Sequence, residues 1–349
     1  MTINGKTIQA ESGMTVLEAA RQANVHIPTL CYHPSLPPDG ACRVCLVQVT
    51  GSPTLQTACT FPVTEGMEVV TDAPEIMLAR RTVVELLLSD HPLDCMTCES
   101  AGNCELQDLA YELNIQQSSI PPSADQKPVV DPDPNPFIHW DMEKCVLCRR
   151  CVRACHDIEG ADILTVSDRG FPATIATAFE GPLEESACEF CGQCVQFCPV
   201  NAISEKMPRQ KARTWETQKV RTTCTYCGCG CQLELHVKNN EVVQVKSYFG
   251  AKANEGALCV KGRFGYDFIN HPDRLTTPLI RKDGELVAAT WDEALDHVAT
   301  TFGRIKKQHG SDALGILTSA RCTNEDNYLI QKFSRAVLGT NNIDHCARL

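Results

Sequence analysis

Cysteine is the residue in this chain whose type and spacing could do chemistry. Of 22 cysteines in 349 residues, nineteen fall with one histidine into five sets of four. Two sets follow the same run, Cys-x2-Cys-x2-Cys-x3-Cys, at Cys145, Cys148, Cys151, Cys155 and again 43 positions on at Cys188, Cys191, Cys194, Cys198. Three thiolates spaced by two can hold one face of a four-iron cube, while the fourth cysteine of such a run reaches the other cube. The spacing therefore predicts one [4Fe-4S] cluster on Cys145, Cys148, Cys151 and Cys198, and a second on Cys188, Cys191, Cys194 and Cys155. A tetrahedral zinc site has no use for three cysteines in seven residues duplicated in this way.

The other three sets leave alternatives open. Cys31, Cys42, Cys45 and Cys59 are separated by ten, two and thirteen residues, which suits a [2Fe-2S] cluster on a small β-rich scaffold. The pair Cys42 and Cys45 alone would also permit structural zinc. Next come His91, Cys95, Cys98 and Cys104. A lone histidine is more often packed or solvated than ligating, but His91 stands directly ahead of three close thiols that lack a fourth sulfur donor. An imidazole in place of a thiolate makes a cluster less negative, which tends to raise its potential. Cys224, Cys227, Cys231 and Cys259 complete the series and could form a zinc ribbon or a further [4Fe-4S] site. Lys261 follows in a Cys-x-Lys-Gly run, as a solvated lysine or a cation between a cluster and a neighbouring cofactor. Cys229, Cys322 and Cys346 are left over, and Cys229 is the rival for a ligand place in the last set.

These residues need scaffolds, and the pattern between them indicates several. Asn4-Gly5 between alternating apolar residues is a hairpin signal, and Thr15-x-x-Glu18 offers a capping box for a helix through Ala23. A strand is expected over 43–49, and helices over 82–88 and 105–113. Six prolines between 121 and 136 predict an extended linker. The basic, Thr-rich stretch 206–223 marks a second boundary. From Thr290 the pattern becomes α/β: a helix capped by Thr290 and Glu293 and ending near Gly310, a buried strand over 313–317, then a helix capped by Asn324 and stopped by Gly339.

Bulk composition narrows the class. A net charge of -11 disfavours nucleic acid and anionic membrane surfaces as partners. Nothing approaches the ~18 apolar residues of a membrane span, and the first ten residues are no secretory signal. So many cysteines at metal-capturing spacings suit a reducing cytoplasm, where disulfides are rare.

With these motifs in view, residues 1–210 resemble the iron-sulfur half of the electron-input subunit of respiratory complex I, and equally the front half of large iron-only hydrogenases. The Cys224 set with Lys261 resembles the N-terminal domain of molybdenum or tungsten bis-pterin oxidoreductases. The stretches Ser319–Tyr328 and Gln331–Asn342 look closely like the formate dehydrogenase branch. The resemblance implies an α+β multidomain chain: a β-grasp [2Fe-2S] ferredoxin domain over 1–79, a one-His/three-Cys [4Fe-4S] domain over 80–120, the linker 121–136, and a 2×[4Fe-4S] bacterial-ferredoxin domain over 137–210. A small [4Fe-4S] domain of the molybdopterin oxidoreductase fold over 217–275 and the start of an α/β pterin-binding domain over 276–349 would follow.

It further implies an oxidoreductase interconverting formate and CO2 at a Mo- or W-bis(pyranopterin guanine dinucleotide) centre. One [2Fe-2S] and four [4Fe-4S] clusters would pass electrons toward an FMN- and iron-sulfur-bearing NADH-binding subunit, a small [2Fe-2S] subunit, ferredoxin or a hydrogenase subunit. Lys261 would lie between cluster and pterin. In this family the run Cys-Ala-Arg-(Val or Leu) precedes the selenocysteine or cysteine that binds the metal. Cys346-Ala-Arg-Leu349 therefore raises the expectation of an in-frame UGA codon next, with the catalytic residues beyond Leu349. Two alternatives stand beside this reading: a complex I-like electron-transfer subunit without its own active site, and the electron-input subunit of a hydrogenase.

Overall fold

The computed structural model describes residues 1–122, 134–207 and 212–346. Part of the proline-rich linker, part of the basic stretch 206–223 and the last three residues lie outside the described residues.

The Asn4-Gly5 signal folds as expected. Both residues adopt left-handed φ, 51° and 76°, and turn β1 (Thr2–Ile3) back onto β2 (Lys6–Thr7). β1 then runs parallel to β5 (Glu68–Val70), which pairs antiparallel with β3 (Leu46–Val49), itself joined to β4 (Gln56–Thr57). The resulting sheet has the order β2-β1-β5-β3-β4. α1 (Val16–Gln22) starts at a complete capping box: Glu18 accepts from the Thr15 amide at 2.7 Å, and Thr15 Oγ1 accepts from the Glu18 amide at 3.3 Å. Its Val16, Leu17 and Ala20 pack with Ile3, Val47 and Val69 in one core. The strand expected over 43–49 forms only from Leu46, because Arg43 takes a left-handed φ of 59° inside the loop that carries Cys42 and Cys45.

α2 (Pro74–Ser89) is longer than the expected 82–88 and runs across position 79/80. Pro74 at the first helical position supplies the start, where its missing N–H costs nothing. Arg80, buried on this helix, donates Nε and Nη2 to the Leu46 carbonyl at 3.1 and 2.6 Å, which ties α2 to β3. α3 (Glu105–Glu112) buries Leu106 and Leu109.

In the repeat region β6 (Ile138–Trp140) pairs with β9 (Ile203–Glu205), closing the two cysteine runs into one unit. α4 (Arg150–Arg153) and α5 (Gln193–Phe197) carry the third cysteine of each run, and β7 (Thr165–Ser167) and β8 (Thr174–Ala176) form a hairpin between them. A three-stranded antiparallel sheet comes next: β10 (Gln218–Thr223), β11 (Gln232–Lys238) and β12 (Glu241–Ser247), with α6 (Val260–Phe264) packed on β12. One apolar core runs from Leu30 and Val44 through Val84, Leu106 and Trp140 to Ile203 and Phe264, so the cysteine-bearing units share an interior.

The last segment holds the hairpin β13 (Leu279–Lys282) and β14 (Glu285–Ala288), α7 (Trp291–His309), β15 (Ile316–Ser319), α8 (Asn324–Phe333) and β16 (Ile343–Cys346). β15 and β16 are parallel, and α7 has the predicted Thr290 and Glu293 box and ends at Gly310 with φ 84°. Two expectations are corrected. Thr323, not Asn324, caps α8: its Oγ1 accepts from the Asp326 amide at 3.1 Å, and Asp326 accepts from the Thr323 amide at 3.2 Å. The strand expected to be buried over 313–317 starts at Ile316, and Leu317 is 86% exposed, because a two-stranded sheet leaves alternate residues on an uncovered face. Among the described residues no helix is long and apolar enough to cross a membrane.

Candidate metal centres

Each cysteine run bends by the same backbone device. In the first, Leu147 and Arg149 take left-handed φ of 50° and 57°; 43 positions on, Phe190 and Gly192 take 54° and 72°. These kinks turn successive cysteines to one side. The Leu147 amide donates to Cys145 Sγ and the Phe190 amide to Cys188 Sγ, both at 3.4 Å. The Ile163 amide donates to Cys155 Sγ at 3.3 Å. Hydrogen bonds to sulfur raise the potential of a cluster held there.

The charges acting on each run include the other run's fourth cysteine. Burial pushes the Cys151 thiol far up, and the charges of Cys148, Cys145, Cys198 and Cys194 push in the same direction. Burial likewise raises Cys194, where the contributing charges are Cys191, Cys188 and Cys155. Cys148 and Cys191 are each pushed up to about 12, chiefly by burial. Cys198 thus lies within electrostatic reach of Cys148 and Cys151, and Cys155 within that of Cys194. Thiols so desolvated bind as thiolates only when a cation replaces the proton, which suits them to iron rather than to free nucleophilic chemistry.

In the first unit Cys31, Cys45 and Cys59 are almost fully buried and Cys42 is half-buried. The sulfurs share hydrogen bonds: Cys42 and Cys59 together hold the Cys31 thiol well below the usual range, and Cys59 lowers Cys45. The Cys31 amide donates to Cys42 Sγ at 3.4 Å. Gly40, at φ 68°, lets this loop close against Thr60, whose Cγ2 would lie 3.2 Å from an added Cβ.

Cys104 caps the start of α3 and is pushed up to about 11, first by burial and then by the charges of Cys98 and Cys95. The turn from Asp94 places those two, its carbonyl accepting from the Cys98 amide at 3.0 Å. His91 stands where the chain leaves α2, its amide bonded to the Leu88 carbonyl at 3.3 Å. In the fifth set the Cys224 amide donates to the Cys231 carbonyl at 2.7 Å, and Cys224 feels the charges of Cys259, Cys227 and Cys229. Cys229 is as much a neighbour of Cys231 as Cys227 is, so the geometry leaves both beside the set. Cys259 and Lys261 are exposed. Cys322 and Cys346 are exposed on the last segment.

None of the 22 cysteines, all among the described residues, is in a disulfide. Among the described residues no group of three or more His, Cys, Asp or Glu side chains is arranged to hold a single metal ion. The donors present are sulfur-rich, mostly buried or half-buried, and several are met by backbone N–H groups, an environment that suits sulfide-bridged iron.

Sequence reading missed the arginines that join these sites. Arg150, 3% exposed, makes a bidentate pair with Glu105 at 2.6 and 2.7 Å and donates to the Tyr32 carbonyl at 2.7 Å. Arg149 pairs with Asp39 at 2.7 Å. Arg153 donates from Nη2 to the carbonyls of Cys31 at 2.5 Å and Cys148 at 3.3 Å. Arg263, fully buried, donates from Nε to the Cys191 carbonyl at 2.9 Å. The amide of Glu105, beside Cys104, donates to the carbonyl of Pro199, beside Cys198, at 2.9 Å. Laid out in sequence the five sets suggest a line; in space the array branches. The Cys31 and Cys104 sites both join the Cys145 site, and the Cys224 site joins the Cys188 site. The basic run Arg149-Arg150-x-x-Arg153 in an acidic chain was the available signal.

Comparison with known proteins follows the same order of segments. Residues 1–74 match a 2Fe-2S iron-sulfur cluster binding domain, and 80–119 the iron-sulfur binding region of NADH-ubiquinone oxidoreductase-G. Residues 135–204 match the ferredoxin-like domain of NADH-quinone oxidoreductase subunit 3, 217–271 the molybdopterin oxidoreductase Fe4S4 domain, and 274–349 molybdopterin oxidoreductase. Over its full length the chain is 38% identical to the alpha subunit of NADPH-Fe(3+) oxidoreductase from Geobacter sulfurreducens and 40% identical to an NADH-quinone oxidoreductase subunit from Rhizobium meliloti, spanning 40% of each. It is 33% identical to a Staphylococcus haemolyticus protein described as a "Putative formate dehydrogenase", spanning 39% of it. The crystal structure of an NAD+-reducing [NiFe]-hydrogenase in the H2-reduced state covers 59% of this chain and 86% of its own matched chain, with 33% identity and a TM-score of 0.54. Residues 217–349 thus carry molybdopterin oxidoreductase family domains, and the residues before them carry [2Fe-2S] and [4Fe-4S] domains like those of NADH-quinone oxidoreductase.

Proposed function

We propose that this chain is the electron-transfer portion of a formate dehydrogenase α subunit. The observation that carries the electron-transfer half is the packing of two repeated cysteine runs into one core, where an exchange of Cys155 and Cys198 would hold two redox sites against each other. Support for formate as substrate comes from the Ser319–Tyr328 and Gln331–Asn342 stretches and from the Staphylococcus relative.

The residues' parts follow from their positions. Cys31, Cys42, Cys45 and Cys59 would hold one [2Fe-2S] cluster. His91, Cys95, Cys98 and Cys104, the two exchanged runs, and Cys224, Cys227, Cys231 and Cys259 would each hold [4Fe-4S] clusters. When bound, these clusters supply one-electron redox chemistry, and a Mo- or W-bis(pyranopterin guanine dinucleotide) in the longer protein would supply two-electron exchange with formate. The shared core around Leu30, Val84, Trp140 and Phe264 excludes water from the thiolates and fixes the separation of the sites. Lys261, two positions after Cys259 and exposed, would meet a cofactor docking on that side. The acceptor partners would be an NADH-binding flavoprotein subunit, a small [2Fe-2S] subunit or ferredoxin.

A second reading, electron transfer without formate chemistry, draws on the Geobacter, Rhizobium and hydrogenase relatives. Metal analysis and separate formate and hydrogen assays of the native complex distinguish the two. Formate-dependent reduction with molybdenum or tungsten present is expected; iron alone, with no response to formate, would refute the formate reading.

A further inference from the structure

We propose that Arg153 and Arg263 are positioning residues that set the coupling between neighbouring ligand sets, each across one gap of the branched array. The proposal rests on the cluster reading above and adds which side chains join the sites.

Arg263 spans its gap with a single residue. Its backbone amide donates to the Cys259 carbonyl at 3.0 Å, and its side-chain Nε donates to the Cys191 carbonyl at 2.9 Å. One residue therefore connects ligand peptides of two different sets. The guanidinium is locked at its other end, with Nη2 on Ser247 Oγ at 2.9 Å and Nη1 on Gln196 Oε1 at 3.3 Å. The second cysteine run makes room for it: a Cβ on Gly192 would lie 2.1 Å from Arg263 Cδ. Arg153 does the corresponding work at the other end of the repeat, where its Nη2 contacts the carbonyls of Cys31 and Cys148 together.

The physical consequence is twofold. A ligand cysteine's carbonyl belongs to the loop that aims its sulfur, so a hydrogen bond there orients the donor, as outer partners of metal ligands do. A guanidinium also keeps its charge at every accessible pH, and a fixed positive charge between two thiolate-rich sites favours the more negative, reduced form of both.

The test uses the 349-residue chain loaded anaerobically with iron and sulfide, with both quantified first. Pulsed EPR of the reduced protein reads the magnetic interaction between each pair of sites, and rapid-mixing reduction reads their electron equilibration. Arg263→Gln is expected to weaken the interaction between the Cys224 and Cys188 sites and slow their equilibration roughly 10-fold, leaving the Cys31 and Cys145 pair unchanged. Arg153→Gln should do the reverse, and Arg263→Lys should recover part of the loss. Full loading with both pairs unaltered in both Gln variants overturns the proposal, as does equal weakening of both pairs by either one. Should Arg263→Gln fail to load, Arg263→Lys and Ser247→Ala decide by the same selective change or its absence. A wild-type chain that takes up no iron or sulfide refutes the cluster reading instead.

Discussion

The two cysteine runs have the same spacing and the same pair of left-handed kinks, yet they sit in different surroundings. Cys145, Cys148 and Cys151 are buried, whereas Cys188, Cys191 and Cys194 are only half-buried. At the second kink the first run carries Arg149, which reaches out to Asp39, and the second carries Gly192, which leaves space for Arg263. The ligand frame is thus common to both, and the docking partner is chosen by the residues the frame presents. The backbone at a kink needs only positive φ; what stands on its Cβ is free to differ.

Replacing the fourth cysteine of each run should have the largest effect on this comparison. Cys198→Ser is expected to remove the cluster of the first run and Cys155→Ser that of the second, each lowering bound iron by about four atoms, read by iron analysis and EPR. Loss of the opposite cluster in either variant would show that the fourth cysteines do not cross.

The kink position itself comes next. Gly192→Ala combines a strained φ with overpacking against Arg263 and should cost about 3 kcal/mol in urea unfolding of the loaded chain. Arg149→Ala loses a partly exposed ion pair and should cost under about 1 kcal/mol. Equal costs would mean that the two runs are not docked differently.

Arg150→Ala removes a buried guanidinium from a pair whose carboxylate partner is half exposed, so about 2 kcal/mol is expected, again from urea unfolding. Lysine at this position should recover only part of it, because the bidentate geometry is lost.

The smallest effect is a pH dependence confined to the second run's neighbour, the β10-β11-β12 sheet. Burial, with Lys246 and Lys219 nearby, holds His236 down to about 4 despite Glu234. The unfolded chain takes up that proton first, near the ordinary ~6.5. Stability from this residue is therefore complete above that value and lost as pH falls through about 4. His236→Asn should flatten the fall in melting temperature between pH 7 and 4.5 if this group causes it.

Local signals were largely readable. The Asn4-Gly5 turn and the boxes at Thr15 and Thr290 form because their hydrogen bonds close within four residues. The Thr323 box was equally local, but Asn324 beside it is also a good cap, and only the observed bonds separate the two. Arg80, Arg150 and Arg263 could not be read as buried, since an arginine's default is solvent and its burial depends on carbonyls 34, 118 and 72 positions away.

Sequence alone therefore determined the spacing of the cysteines and the turns and helix caps between them, because thiolate spacing and turn chemistry act over a few residues. Tertiary structure decided how the sets stand beside one another, that the array branches at the Cys145 site, and which arginine spans which gap. Those relations depend on chain segments meeting across one shared core, and no local pattern encodes such meetings.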